Sequence, residues 1–265
     1  MNTTMIPEYD YNSQYPCSPY KMCGKFTKLM YYVVYEKYFS SNTICDYIEE
    51  NPNEINAVNE LGWNALMIAV RISNSDSSLK TVKLLLDYGS DVNVRDVDGA
   101  TPLMIACLFS NEKSNLETVK LLLDYRSDLN IQDNEGWSAL MYTIRYVGIC
   151  SNIIVIKLLL DHGSNLRCVS SNINLRHKNG YNALMIALSH GNTETIQLLL
   201  DYGASFYTER ENEVKDFYGN SFLSYIHKKN KIFCLKLIEE MAVKKFKYQK
   251  VLEELLFCTI KSKKN

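Results

Sequence analysis

The chain has 265 residues and a formal net charge of −1, with 46% hydrophobic and 22% charged residues. This is the ordinary balance of a globular protein with a sizeable core, and a charge near zero excludes general steering toward nucleic acid. The charge is nevertheless uneven, because residues 228–265 carry eleven lysines against four glutamates.

The first 24 residues are polar and contain proline, which predicts a disordered N-terminal segment. They lack a positively charged start followed by an apolar core, so we do not expect them to form a secretory signal. The longest strongly apolar stretch, residues 153–160, is far shorter than the roughly 20 residues that span a bilayer. The eight cysteines form no CxxC pair, and we interpret them as reduced thiols of an intracellular protein.

Residues 25–57 are predicted to form an N-terminal helical cap. The stretch 25–39 has the pattern of a helix, and 44–56 resembles a degenerate second helix. Such a cap would cover the open hydrophobic face of the repeats that follow.

From Gly62 onward the chain repeats itself. A first block reads GWNALMIAV at Gly62, GATPLMIAC at Gly99, GWSALMYTI at Gly136, GYNALMIAL at Gly180 and a faded GNSFLSYIH at Gly219. A second block, of the type VKLLLDYGSDVN, follows each of the first four. Steps of 37, 37, 44 and 39 residues between these glycines indicate one supersecondary module repeated in tandem.

The two blocks resemble the ankyrin repeat, a unit of a β-turn and two antiparallel helices. The resemblance covers residues 56–241, and it implies an all-α ankyrin-repeat solenoid with degenerate terminal caps. Methionine stands where the family has histidine, at Met67, Met104, Met141 and Met185. With the Asn-, Ile-, Lys- and Tyr-rich composition, this resembles ankyrin-repeat proteins of giant amoeba-infecting viruses. The expected location is then the cytoplasm, that of a host cell included, and a nuclear location is left as an alternative.

The repeat boundaries follow from the glycine spacing. We predict repeats at 58–93, 94–130, 131–174 with an insertion, 175–214 with an insertion, and a degenerate fifth repeat at 215–241, followed by a basic C-terminal helical cap at 242–265. The first three repeats have four additional residues between their two blocks, near 74–78, 111–115 and 148–152. These residues lengthen either the helices or the loop between them.

The helix ends have their own signals. A short polar residue follows each turn glycine by two positions and is expected to cap the first helix, at Asn64, Thr101, Ser138, Asn182 and Ser221. The second helix is expected to end at a left-handed residue, at Gly89, Arg126, Gly163 and Gly203. Arginine is strained in that conformation by about 1 kcal/mol.

The sequence does not predict an enzyme, a cofactor or a metal site. It contains no GxxxxGK loop, GxSxG elbow or HExxH helix. Cys168 and His177 are the nearest approach to a metal site, but two ligands do not make a zinc site. The aspartates that recur once per repeat, Asp87, Asp124, Asp161 and Asp201, are interpreted as solvated surface, and the four methionines as packing residues.

We therefore predict a protein-protein interaction scaffold. In ankyrin proteins, recognition commonly uses the finger tips and the exposed face of the first helix. The matching positions give these candidate partner-binding residues: Trp63, Arg71, Ile72, Leu108, Phe109, Trp137, Arg145, Tyr146, Tyr181, His190 and Tyr218. Equivalent residues are expected to form rows along the stack. Ile72, Leu108 and Phe109 are expected to be apolar residues facing solvent, unless the four-residue extensions fold over them. A finger aromatic either anchors a partner or packs on the next finger.

Two alternatives remain open. The basic end, with Lys244, Lys245, Lys247, Lys250, Lys261, Lys263 and Lys264 beside Phe246, Tyr248 and Phe257, favours nucleic acid or an anionic surface. An adaptor for a ubiquitin ligase would carry an F-box-like tail, although residues 244–265 lack its Leu-Pro start. The expected protein is a monomer that binds an unidentified protein partner, a host protein among the candidates, and no small-molecule substrate.

Overall fold

The computed structural model describes residues 26–39, 42–73, 79–110, 116–149, 151–165, 173–190 and 193–204. The predicted disordered segment 1–24, the fifth repeat at 215–241 and the basic cap at 242–265 lie outside the described residues. So do Ser221, Tyr218 and Cys168.

The described residues are helical and fall into two compact units that divide after Ser127. The helices of the first unit are α1 (Lys28–Val34), α2 (Thr43–Glu50), α3 (Ala65–Ile72), α4 (Leu79–Asp87), α5 (Pro102–Leu108) and α6 (Leu116–Asp124). Those of the second unit are α7 (Ala139–Arg145), α8 (Ile153–Asn165), α9 (Ala183–His190) and α10 (Thr193–Asp201). These helices pair as hairpins, which is the all-α architecture that the repeat pattern predicts.

In the first unit, the first helix of each repeat lies in the interior. Helix α3 packs against α1, α4 and α5, and every one of its residues is buried. Helix α4 buries only Thr81, Val82, Leu85 and Leu86. A helix that is apolar all round must be covered on all sides, whereas an amphipathic helix can keep one face in solvent. The two blocks of the repeat therefore correspond to an inner and an outer helix.

The second unit repeats this arrangement with its own core. Helix α7 packs against α8 and α9, and α9 packs against α10. Its core includes Met141, Ile144, Ile156, Leu160, Leu184, Met185, Leu188, Ile196 and Leu199. The four repeat methionines, Met67, Met104, Met141 and Met185, are at most 2% exposed. The prediction that these methionines are packing residues is confirmed.

The predicted helix caps are present in four repeats. The side-chain oxygen of Asn64 accepts a hydrogen bond from the Met67 amide at 2.9 Å, and Thr101, Ser138 and Asn182 accept the equivalent bond. Each cap provides an acceptor for one of the amides that have no partner within the first turn of a helix. Short polar side chains after the turn glycine therefore fix where the inner helices begin.

The left-handed ends of the outer helices are present in three of the four predicted places. Gly89 has a φ of 88°, Gly203 a φ of 85°, and Arg126 takes the same conformation with a φ of 64°. The prediction for Gly163 is wrong, because α8 runs through it to Asn165. The outer helix of the third repeat therefore does not end at the usual residue.

The N-terminal cap has a shorter helix than the sequence predicts. Thr27 accepts a hydrogen bond from the Met30 amide at 3.3 Å, so α1 begins at Lys28 and not at residue 25. The α-helix ends at Val34, and a 3₁₀ turn follows at Glu36–Tyr38. Helix α2 and a 3₁₀ turn at Pro52–Glu54 occupy the predicted second helix.

The third repeat shows where its four additional residues go. Helix α7 ends at Arg145 and α8 begins at Ile153, so the additional residues lengthen the loop and not the helix ends that flank it. The Tyr146 carbonyl accepts hydrogen bonds from the amides of Ile149 (3.0 Å) and Ser151 (3.1 Å), which fold this loop into a compact turn. The corresponding stretches 74–78 and 111–115 lie outside the described residues.

No helix in the part of the chain that the structure describes is both long enough and apolar enough to cross a lipid bilayer. Cys45 and Cys107, the cysteines of the described residues, are free thiols.

Candidate functional site

The third repeat begins with a tight turn, residues 133–137, which we call finger 3. The Asp133 amide donates to the Trp137 carbonyl at 2.9 Å, and the Gly136 amide donates to the Asp133 carbonyl at 2.9 Å. The Asp133 carboxylate accepts from the amides of Glu135 (2.9 Å) and Trp137 (2.8 Å). An acidic side chain that accepts two turn amides fixes the finger, and with it the position of Trp137.

The fourth repeat begins with an equivalent turn, residues 177–181, which we call finger 4. The His177 amide donates to the Tyr181 carbonyl at 3.0 Å, and the Gly180 amide donates to the His177 carbonyl at 2.8 Å. In place of a carboxylate, the imidazole Nδ1 of His177 accepts the hydrogen bond of the Asn179 amide at 3.0 Å. An Nδ1 that accepts carries no proton, so the neutral ring has its hydrogen on Nε2.

Fingers 3 and 4 pack backbone against backbone. The Lys178 amide donates to the Glu135 carbonyl at 2.9 Å, and the Gln132 side chain donates to the Arg176 carbonyl at 2.9 Å. Gly136 has a φ of 87°, and a Cβ atom there would lie 2.7 Å from the Cα of His177. Only glycine allows both this conformation and this approach.

Aromatic rings cover the two fingers. The rings of Trp137 and His177 stack with centroids 5.0 Å apart and planes 13° apart, and His177 contacts Tyr181 at 4.7 Å. Tyr142 of α7 contacts Trp137 at 5.5 Å and donates its hydroxyl hydrogen to Asp133 at 2.5 Å. These are the separations at which aromatic pairs attract each other.

Arg145, the last residue of α7, lies beside this array. Its guanidinium carbon is 5.6 Å from the Trp137 ring centre and 5.8 Å from that of Tyr146, within the range of cation-π attraction. The residue is exposed, and it forms no ion pair with any described carboxylate. We call Trp137, Tyr142, Arg145, Tyr146 and Tyr181 the finger face.

His177 lies under this face and is only 7% exposed. Burial is the largest influence on the imidazole and lowers its pKa. Asp133 and Glu135 act in the opposite direction, and Arg145 adds to the lowering. The net effect keeps the ring neutral, in the form that can accept the finger hydrogen bond.

Sequence reasoning missed the residue that closes each finger, although its signal is present. The position three residues before each of the first four turn glycines holds Asn59, Asp96, Asp133 and His177. Asn59 and Asp96 each accept two turn amides through Oδ1, as Asp133 does. A column of polar residues at a fixed distance from a glycine could have been interpreted as a turn signal.

The prediction that Ile72, Leu108 and Phe109 face solvent is wrong. Their exposed fractions are 2%, 1% and 1%. Arg71, predicted to lie on the accessible face, is also buried, and its guanidinium carbon is 3.5 Å from the centre of the Phe109 ring. The apolar side chains at these positions are buried, and the Arg71 guanidinium packs against the Phe109 ring through cation-π attraction.

Trp63, the remaining candidate of the first unit, packs on the next finger, which is the second of the two roles considered for a finger aromatic. It is 3% exposed, and its side chain donates a hydrogen bond to Asp96 of the next finger. Burial raises the pKa of Asp96, although hydrogen bonds from the Ala100 and Asp98 amides and from Trp63 favour its charged form.

The candidates of the second unit are accessible. Trp137, Tyr146 and Tyr181 are half-buried, while Arg145 and His190 are exposed. His190 ends α9, and its Nδ1 lies 2.8 Å from the Ile186 carbonyl oxygen. Finger-face residues therefore cluster around Arg145, whereas the first-unit candidates do not form an accessible site.

Within the described ranges, no three residues among His, Cys, Asp and Glu come together as metal ligands.

Comparison with known proteins identifies the architecture. A family model described as ankyrin repeats (3 copies) matches residues 29–133, 109–210 and 166–249. Two ankyrin repeat proteins of Acanthamoeba polyphaga mimivirus, L86 and L122, are each 41% identical to this chain over 92 and 96 residues, which is 34% and 36% of this chain. A third ankyrin repeat protein of that virus is 44% identical over 91 residues, 33% of this chain.

The matched segments span 16%, 15% and 17% of those three relatives, so the similarity covers only a small part of their length. The family model, by contrast, covers most of this chain. Its matches, the paired helices and the finger turns agree with one another, and the chain belongs to the ankyrin-repeat family.

Proposed function

We propose that the chain binds a partner protein, and that the finger face of the second unit is the contact surface. Ankyrin repeats are generally protein-protein interaction modules, and a protein partner is therefore the first to consider. The observation that carries the proposal is the exposed Arg145 beside two accessible aromatic rings, those of Trp137 and Tyr146. A hydrogen-bonded turn fixes the position of Trp137.

The residue types support this choice of surface. Aromatic residues and arginine are enriched at protein interfaces and among the residues that contribute most to affinity. Rigid positioning also favours binding, because little side-chain freedom is lost when the partner arrives. Asp133 and the stacked His177 hold Trp137 in this way. The first-unit candidates lack accessibility, so the proposed surface excludes Ile72, Leu108 and Phe109.

The viral relatives suggest where to look for the partner. Because they belong to an amoeba virus, proteins of an amoeba cytoplasm are the first candidates for capture. Capture followed by mass spectrometry would provide the partner, and a binding measurement on the purified pair would then test the surface.

The test compares matched variants of the full chain. Arg145→Ala combined with Tyr146→Ala removes the exposed part of the finger face. Lys157→Ala is the control, because Lys157 is an exposed cation on the outer helix of the same repeat. We expect the double variant to weaken binding by about thirtyfold or more, and the control by less than about fivefold.

A truncated chain decides between this surface and the basic end. Removal of residues 261–265 is expected to leave the dissociation constant nearly unchanged. If that truncation abolishes binding while the double variant does not, the finger-face proposal is wrong. A steep salt dependence of that binding would then favour the basic region as a site for nucleic acid or another polyanion.

A further inference from the structure

Finger 4 differs from the other described fingers in the chemistry of the acceptor that closes it. Asn59, Asp96 and Asp133 use a side-chain oxygen, at 2.8 to 3.0 Å from the turn amides. His177 uses the lone pair of Nδ1, 3.0 Å from the Asn179 amide. Amide and carboxylate oxygens remain acceptors throughout the neutral and mildly acidic range. An imidazole nitrogen does not, because it takes up a proton.

Charged groups from finger 3, from α7 and from finger 4 itself surround His177. Asp133 and Glu135 of finger 3 favour its protonation, and Arg145 of α7 opposes it. In its own finger, Arg176 donates to the Gly180 carbonyl at 2.7 Å, and Lys178 forms a 3.4 Å ion pair with Glu135. Burial opposes protonation more strongly than the two carboxylates favour it, so the pKa of His177 lies below its ordinary value.

We propose that finger 4 is an acid-sensitive element that opens when His177 binds a proton at Nδ1. The added N–H would point at the Asn179 N–H, so the acceptor that closes the turn is lost and two donors face each other. Finger 4 also provides the stacking partner of Trp137 and the ring of Tyr181. If the finger face binds the partner, as the proposed function states, mild acid weakens that binding.

The direction of the effect follows from the lowered pKa. An unfolded histidine titrates near pH 6.5, and His177 in the closed finger titrates below that. Between these two values the open state holds more protons than the closed state, so acid favours opening. The contribution of neutral His177 to the stability of the closed finger is complete above about pH 6.5. The opening equilibrium constant rises by up to tenfold for each pH unit below about 6.5, and becomes constant below the pKa of the closed finger.

The variant that isolates this device is His177→Asn in the full chain. Asparagine closes the finger at position 59 with an oxygen that does not titrate, so the variant keeps the acceptor and removes the proton site. Nuclear magnetic resonance follows the hydrogen-exchange protection of the Asn179 amide between pH 7.5 and 5. In the parent chain we expect protection to fall by up to tenfold for each pH unit below about 6.5, and in the variant we expect no such step.

The imidazole nitrogen resonances provide an independent measurement. At pH 8 the parent chain should have its ring hydrogen on Nε2, as the accepting Nδ1 requires. A ring hydrogen on Nδ1 at pH 8, or the same protection profile in both chains, would overturn the acid-sensitive finger. Neither measurement needs the partner.

The regulatory consequence is tested separately, with the captured partner. We expect its affinity to fall between pH 7.5 and 5.5 for the parent chain and to change less for His177→Asn. If the Asn179 step occurs but both chains lose affinity equally, the coupling of the finger to binding is wrong. If the double variant Arg145→Ala and Tyr146→Ala did not affect binding, the proposed function would be wrong. The proposal of an acid-sensitive finger would still stand.

Discussion

The hydroxyl of Tyr125 donates a hydrogen bond to the carboxylate of Asp87. Asp87 is the residue of the preceding repeat that matches Asp124, the direct neighbour of Tyr125. Tyr202 does the same to Asp161, and Tyr88 donates to Glu49 of the N-terminal cap at 2.7 Å. Each tyrosine follows the aspartate of its own repeat and reaches the acid of the repeat before it. The recurring Asp-Tyr pair thus links consecutive outer helices within each unit.

Asp87→Asn is expected to lower the pKa of Tyr125 toward its ordinary value. The hydrogen bond to the Asp87 carboxylate is the largest cause of the raised pKa, because it favours the protonated phenol. The bond therefore stabilises the fold at neutral pH and is lost as pH rises through the raised pKa. Carbon resonances of labelled tyrosine, followed from pH 8 to 12, would measure this. Tyr202, whose acceptor Asp161 is unchanged, is the internal control. The same pKa for Tyr125 in the parent chain and in the Asp87→Asn variant would contradict the hydrogen bond between Tyr125 and Asp87.

Phe109→Ala is expected to lower the free energy of unfolding by about 3 to 5 kcal/mol, because it leaves a cavity in a packed site. The ring is 1% exposed and lies against Arg71. Tyr146 is ten residues after its turn glycine, as Phe109 is, but half-buried, so Tyr146→Ala should cost clearly less. Urea melts of both variants compare them directly. Equal losses would mean that the two positions do not differ in burial.

Gly136→Ala is expected to destabilise the chain more than Gly89→Ala. Both glycines have a left-handed φ, so alanine carries a conformational cost of about 1 to 2 kcal/mol at either site. At Gly136 the new methyl group would also meet the His177 backbone at 2.7 Å, whereas at Gly89 nothing lies within 4 Å. The difference between the two unfolding free energies measures the finger contact alone. A difference near zero would show that fingers 3 and 4 do not approach each other this closely.

Arg126→Gly is expected to stabilise the chain by up to about 1 kcal/mol. The left-handed φ of 64° is strained for arginine, and glycine occupies the matching position at Gly89 and Gly203. Part of the gain is offset by the greater freedom of glycine in the unfolded state. Thermal melts of the two chains would measure the sign. A lower melting temperature for the glycine variant would mean that the arginine side chain makes contacts worth more than the strain.

Local signals in the sequence predicted the helix ends well. The caps at Asn64, Thr101, Ser138 and Asn182 were predicted correctly, since capping depends on residues three positions apart. The left-handed residues Gly89, Arg126 and Gly203 were predicted for the same reason. Gly163 lies at the matching position of the third repeat but has a different outcome, because α8 continues through it to Asn165.

The sequence by itself determined the repeat, its helix pairs and the burial of the four repeat methionines, Met67, Met104, Met141 and Met185. These features depend on a pattern that recurs in each repeat of about 37 residues. Only the tertiary structure decided that Phe109 lies beneath Arg71, whereas Arg145 lies exposed beside Trp137. It also decided that His177 closes a finger and that Tyr125 reaches Asp87. Contacts with neighbouring repeats depend on residues about 37 to 44 positions away, and a single repeat does not contain that information.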